Sequence, residues 1–296
     1  MSTTFERVAG PYKGITGGLA WNGKEMLFSA VQEERILRFH PASGTVDNFR
    51  RWTGRTNGIA MAADGSVFGA QEGGRHVIHF MRDGSTAPTC DLIDGKHHNQ
   101  PTDLIVDTKG RVWFTDPYNP TPPYGPPVFP FLDHASVLRL ERDERRAWKL
   151  RRVTFDTRAP RALLLSADEK TLYVADGEPD KEGPRELRAY PIEADGSVGR
   201  HAVLHAFSPG QRGIEGLCLD SGGNIVACGG WKRAGAEPFL YVFAPFGAVL
   251  ESHVPPADLP MRCAFGGPDL SELYFTTGAG ELYRARIGRK GYQRSA

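Results

Sequence analysis

A chain of 296 residues with 36 Lys and Arg against 35 Asp and Glu carries a formal net charge of +1. No global field therefore draws it to nucleic acid or to an anionic membrane, and a small molecule is the expected partner. With 40% hydrophobic and 24% charged residues it has the apolar content of a packed core, which excludes a disordered chain. The segment MSTTFERVAGPYKG lacks the basic and apolar blocks of a secretory signal, and no run approaches the roughly 18 apolar residues of a membrane helix, so a cytoplasmic protein is expected.

In chain order the predicted elements repeat one unit: a small residue, a short apolar strand, a turn rich in Asp, Gly and Lys, and a second apolar strand. The copies read GLAWNGKEMLFSA at 18–30, GIAMAADGSVFGAQ at 58–71, DLIVDTKGRVWFTD at 103–116, ALLLSADEKTLYVAD at 162–176, GLCLDSGGNIVACGG at 216–230 and CAFGGPDLSELYFTT at 263–277. An amphipathic third strand follows most of them, in RILRFH, HVIHFM, SVLRLE, ELRAYP, FLYVFA and ELYRAR. Turns such as AADG and DSGG suit tight hairpins because Gly and Asp tolerate the backbone they require. Copy starts lie 40, 45, 59, 54 and 47 residues apart, the size of a propeller blade, and no single copy buries both its faces alone. The reading is an all-β, six-bladed β-propeller formed by residues 1–296 as one domain, with TFERVAG as the strand that closes the ring. The insertions at 117–135 and 177–186 both follow a second strand, so both are expected on one face as candidate lids.

Four cysteines, Cys90, Cys218, Cys228 and Cys263, are too few and too scattered for a disulfide framework or a zinc cluster and are read as free thiols. Cys218 and Cys228 could face each other on paired strands, a position that small apolar residues fill equally well. Phosphate-loop, dinucleotide, Gly-x-Ser-x-Gly and His-Glu-x-x-His motifs are absent, and no basic patch interleaved with aromatic residues supports nucleic-acid binding.

The segments TNGIAMAADGSVFGAQEGGRHV, NQPTDLIVDTKGRVWFTDPY, SADEKTLYVADGE, EGLCLDSGGNIVACGG and AFGGPDLSELYFTT resemble successive blades of the gluconolactonase and senescence-marker-protein-30 family. That resemblance implies hydrolysis of a lactone or related ester with one divalent cation, often calcium, on the central axis. Its ligands would come from the residue just before the first strand of several blades, positions that here are Gly17, Asn57, Thr102, Arg161, Glu215 and Arg262. The family's Glu before Gly-Pro-x-Trp is Gly17, its Asn-Asp is Thr102-Asp103, its Pro-Asn-Gly is Pro160-Arg161-Ala162 and its Asp-Gly is Glu215-Gly216. Calcium takes six to eight oxygens, whereas a guanidinium has no lone pair to offer. The expectation is therefore no metal and no other cofactor, with a calcium site on Glu215 and His98 or Asn57 as the alternative.

Two arginines directed at one axis call for an anion between them. Arg161 and Glu215 are thus candidate catalytic residues, Glu215 as general acid or base and as the neutraliser of one guanidinium, and Arg262 is a candidate substrate ligand. His98, in KHHNQPTD, is a third catalytic candidate. Asn57, Thr102 and Asn99 are candidate orienting groups. Gln71, Glu72, Asp116, Tyr118, Glu178 and Trp231 are expected around the entrance, with Gln71, Tyr118 and Trp231 as substrate contacts and Asp116 pinning its own turn. Three functions follow: a metal-free hydrolase of a lactone, cyclic ester or amide on an acidic substrate, a metal-free lyase or isomerase using Glu215 or His98, and a binding or scaffold propeller without catalysis.

Overall fold

The computed structural model describes residues 3–119, 124–125, 128–177, 183, 185–208, 210–234 and 236–292. Six four-stranded antiparallel sheets make six blades. Blade 1 comprises Thr16–Trp21, Met26–Ala30, Arg35–His40 and Thr45–Arg51; blade 2 Thr56–Met61, Val67–Gln71, His76–Phe80 and Thr86–Pro88; blade 3 Asp103–Val106, Val112–Asp116, Ser136–Arg142 and Trp148–Arg152. Blade 4 comprises Ala162–Leu165, Thr171–Asp176, Arg185–Pro191 and Ala202–Phe207, and blade 5 Ile214–Leu219, Ile225–Trp231, Ala236–Phe243 and Val249–His253. Blade 6 is Pro260–Gly266, Glu272–Thr277 and Leu282–Ala285, completed by the N-terminal Phe5–Ala9, which pairs with Leu282–Ala285. No helix of the described residues is long and apolar enough to cross a membrane.

The second strands are buried on both faces, which explains their unbroken apolar runs. Successive side chains of a strand point to opposite faces, so Leu27 packs toward blade 2 with Ile59 and Val67, while Met26 and Phe28 pack toward blade 6 with Tyr274. The same division recurs around the ring, and each pair of successive blades encloses its own apolar wedge. First strands neighbour one another in blade order, and that of blade 6 returns against blade 1. Closure is reinforced by Thr16, whose hydroxyl donates to the Glu281 carbonyl at 2.7 Å and accepts the Thr277 N–H at 3.1 Å. The repeat unit read from sequence had three strands; the fourth, outer strands such as Thr45–Arg51 and Val249–His253 are largely exposed and lack its apolar signature.

Candidate functional site

Irregular backbone aims side chains at one end of the ring. In blades 1, 2, 5 and 6 the first strand slips register between Thr16 and Leu19, Thr56 and Ile59, Ile214 and Gly216, and Pro260 and Cys263. A bulge of this kind bends a strand and redirects the residues within it; those residues include Gly17, Asn57, Glu215 and Arg262. In blades 3 and 4, Thr102 and Arg161 stand one residue ahead of the ladder, held by Thr102 N–H to the Thr115 carbonyl at 3.1 Å and Arg161 N–H to the Ala175 carbonyl at 2.8 Å.

Arg262 reaches across the ring from blade 6. Its Nη2 donates to the Thr102 carbonyl of blade 3 at 3.1 Å and approaches the Arg161 carbonyl of blade 4 at 3.5 Å, and its Nε lies 3.5 Å from Asp103 Oδ1. Asp103 Oδ2 accepts the Leu163 N–H at 3.2 Å. Burial drives the Asp103 carboxyl up to about 6, against the opposing pull of Arg262. Asp103 entered the sequence reading only as the partner of Thr102, and its ion pair with a residue three blades away has no local signal.

Glu215 is buried, with Oε1 accepting Arg212 Nε at 2.9 Å, while Oε2 takes no hydrogen bond from the described residues. Burial pushes this carboxyl upward, but the charges of Arg212, Arg161 and Arg262 outweigh it and hold the group below its ordinary value. Arg212, three residues upstream in QRGIEG, takes one oxygen of the carboxylate, while the charges of Arg161 and Arg262 act on Glu215 without a hydrogen bond to it among the described residues. The Arg212 guanidinium lies over the Trp231 ring at 5.3 Å, so Trp231 backs the residue that orients Glu215.

Arg161 differs from its neighbours. Its guanidinium forms no hydrogen bond or ion pair with the described residues, and its Nε is buried without a partner. Other unpartnered buried atoms belonging to this end of the ring are Asn57 Oδ1, His98 Nε2, Gln100 Nε2 and Arg262 Nε and Nη1. Native interiors leave few such atoms; others lie elsewhere in the fold, at Ser29, Arg50, Thr53 and Arg139, so it is the Arg161, Asn57 and Arg262 atoms at the ring centre whose bonding a ligand or water would complete.

The remaining candidates divide. Asn57 Nδ2 donates to Glu72 Oε2 at 3.2 Å, and Glu72 Oε1 takes Arg55 Nη2 at 2.9 Å, which ties Arg55 and Glu72 into the ring. The Thr102 hydroxyl is 3.0 Å from that of Thr115. His98 is not the loop histidine open to the pocket that its sequence context suggested: its ring is fully buried, tilted against Phe114, and Nδ1 is 3.1 Å from Asp116 Oδ1. Asn99 is likewise spent on the fold, donating to the Asp116 and His134 carbonyls and accepting the Leu132 N–H at 2.8 Å. Asp116 pins the turn through the Asn99 N–H at 2.7 Å. Gln71 donates to the Thr53 carbonyl at 2.8 Å. Tyr118 is 42% exposed and packs edge-on against Phe131 at 4.7 Å, which leaves it free to meet a ligand. Glu178 lies outside the described residues. Within the 117–135 insertion, Arg75 holds the Phe129 carbonyl at 2.6 Å, and the Tyr124 hydroxyl donates to Glu34 of blade 1. Described residues of the insertion thus contact blade 1 and, through Arg75, blade 2.

A hard divalent cation does not fit this donor set. Two of the six ring positions present guanidinium N–H groups, the Glu215 carboxylate is engaged by Arg212, and no three described His, Cys, Asp or Glu side chains converge as ligands. The first-blade position is sterically closed as well, since a Cβ on Gly17 would stand 2.6 Å from the Asn57 carbonyl oxygen.

A sequence profile of the SMP-30/gluconolactonase/LRE-like region matches residues 15–279. A 6-deoxy-6-sulfogluconolactonase of Pseudomonas putida is 27% identical over 184 residues, which are 62% of this chain and only 55% of that relative's length. The pentonolactonase XacC of Haloferax volcanii is 23% identical over 283 residues, 94% of this chain and 86% of the relative. Among solved structures, a gluconolactonase of Xanthomonas campestris superimposes with a TM-score of 0.81 at 27% identity, covering 96% of this chain and 89% of that one.

Proposed function

Because the chain belongs to the SMP-30/gluconolactonase/LRE-like family, we propose that it is a hydrolase that opens a lactone, or a related cyclic ester or amide, on a small acidic substrate without a divalent cation. The named relatives support the reaction class, since their names describe lactonases. The observation that carries the reading is an Arg161 guanidinium without a hydrogen-bond partner among the described residues, acting by its charge on Glu215, whose Oε2 likewise takes no hydrogen bond among them.

Glu215 Oε2 accepts the proton of a water as that water adds to the lactone carbonyl. The Arg161 N–H groups receive the oxyanion that forms, the electrostatic task for which buried, preorganised donors are most effective. Collapse of the tetrahedral intermediate breaks the ring C–O bond, and the proton returns from Glu215 to the departing alkoxide to give the hydroxy acid. Arg262, anchored by Asp103 and the Thr102 carbonyl, keeps positive charge at the centre. By formal charge, Arg55, Arg161, Arg212 and Arg262 outnumber the carboxylates of Glu72, Asp103 and Glu215 by one. That excess favours an anionic substrate.

Hydrolysis of matched neutral and carboxylate-bearing lactones, followed by acid release with and without chelator, tests the proposal. Preference for the acidic lactone with a chelator-insensitive rate is expected. A chelator-sensitive rate restored by calcium, or no turnover of any lactone, would overturn it.

A further inference from the structure

Hydrolysis as proposed leaves two of the three guanidinium nitrogens of Arg212 without a task. Its Nε donates to Glu215 Oε1 at 2.9 Å, and neither Nη1 nor Nη2 makes a hydrogen bond with the described residues. Arg161 Nε and Arg262 Nε and Nη1 are buried without partners, but neither Nη of Arg212 is among such atoms, and 14% of the Arg212 side chain is accessible. Its Nη1–Nη2 edge therefore reaches solvent, while the rest of the group is fixed. Glu215 holds the Nε, the Trp231 ring lies 5.3 Å from the guanidinium carbon, and the preceding turn is closed by Gln211 N–H to the Ser208 carbonyl at 3.1 Å and Ser208 N–H to Gln211 Oε1 at 3.0 Å. A donor fork held in this way loses little freedom when it takes up a ligand. Positive charge also gathers here. Arg233 lies over the same ring at 5.8 Å with no ion pair among the described residues, and Asp258 is engaged by the backbone N–H groups of Lys232 and Leu259 at 3.1 and 2.9 Å.

The geometry points to the Nη1–Nη2 edge of Arg212 as the anchor for the substrate's own carboxylate, which leaves Arg161 to the oxyanion. The assignment rests on the proposed roles of Glu215 and Arg161 and adds a specificity-determining residue to them. A carboxylate matches the fork of a guanidinium with two parallel N–H···O bonds, a fit that an amide does not offer. Because the Nε of the same planar group holds Glu215, an anion at the adjoining edge sits close to the base. The substrate class is thereby narrowed to lactones whose carboxylate is on the ring or next to it, not at the end of a long arm. Occupation of the edge has a second effect. A bound carboxylate offsets part of the positive charge that keeps the Glu215 carboxyl low, so the base strengthens when the substrate is in place.

Calorimetric titration of the whole chain with 3-oxocyclopentanecarboxylate and with its carboxamide tests the anchor; both keep the ring and carbonyl of a lactone and have no ester to open. Wild type should bind the carboxylate about 10–100-fold more tightly than the amide. Arg212→Met should abolish this preference, and Arg161→Gln should retain it. Since the Met variant also strips Glu215 of its partner, Arg212→Lys is titrated beside it; it keeps a charge there but no fork, and its preference should fall several-fold. Equal affinity of wild type for the two ketones, an undiminished preference in both Arg212 variants, or its loss in Arg161→Gln alone would overturn the proposal. Neither ketone is hydrolysed, so the titration stands apart from turnover. A protein that opens no lactone yet shows the Arg212-dependent preference retains the anchor and loses only the lactonase reading.

Discussion

Replacing Arg161 with Gln tests the proposed catalytic role with little expected cost to the fold. It has no hydrogen bond or ion pair among the described residues to lose, and it shares the Glu215 charge with Arg212 and Arg262. The melting temperature of Arg161→Gln should therefore stay close to that of wild type. Activity should behave differently. Removing one oxyanion donor from a buried site costs about 3–4 kcal/mol of transition-state stabilisation, a loss of roughly 10²–10³-fold in kcat. Arg161 also helps to hold the Glu215 carboxyl low, so the acid limb of the pH–rate profile should move to higher pH in the variant. Steady-state hydrolysis of a carboxylate-bearing lactone across pH, paired with thermal melts, reads all three quantities. A kcat within a few-fold of wild type, or an activity loss matched by unfolding, would refute the reasoning.

Glu215→Gln keeps the shape and an acceptor for Arg212 but removes the base; the rate should fall by about 10²–10⁴-fold with near-native circular dichroism, and retained activity would leave Glu215 a structural partner only. Gly17→Ala places a Cβ 2.6 Å from a backbone oxygen and should destabilise by about 1–3 kcal/mol in denaturant titration, so an unchanged midpoint would show that the ring relaxes there. The Asp103 carboxyl, raised to about 6 in the fold, binds its proton more tightly folded than unfolded. Its contribution to stability is therefore complete below pH ~4 and is lost as pH rises through about 6, some 3 kcal/mol in all. Asp103→Asn should flatten stability against pH in that window in denaturant titrations, and an unaltered slope would contradict the assignment.

The repeat was legible because its determinants are local. Second strands such as VWFTD and TLYVAD need apolar residues on both faces, and the turns between strands need Gly and Asp, so six blades can be counted along the chain. The phase of the repeat also located Asn57, Thr102, Arg161, Glu215 and Arg262 at one end of the ring. Their partners were decided by tertiary structure alone. Arg262 meets Asp103 and the Thr102 carbonyl across the ring, and His98 is buried by packing that its loop sequence does not encode. Arg212 lay close in sequence to Glu215, but neither the register slip between Ile214 and Gly216 nor the ion pair formed there is visible in the sequence. Apolar periodicity reports which face of a strand is buried; which charge faces which across a closed ring depends on contacts between residues far apart in the chain, and those leave no periodic trace.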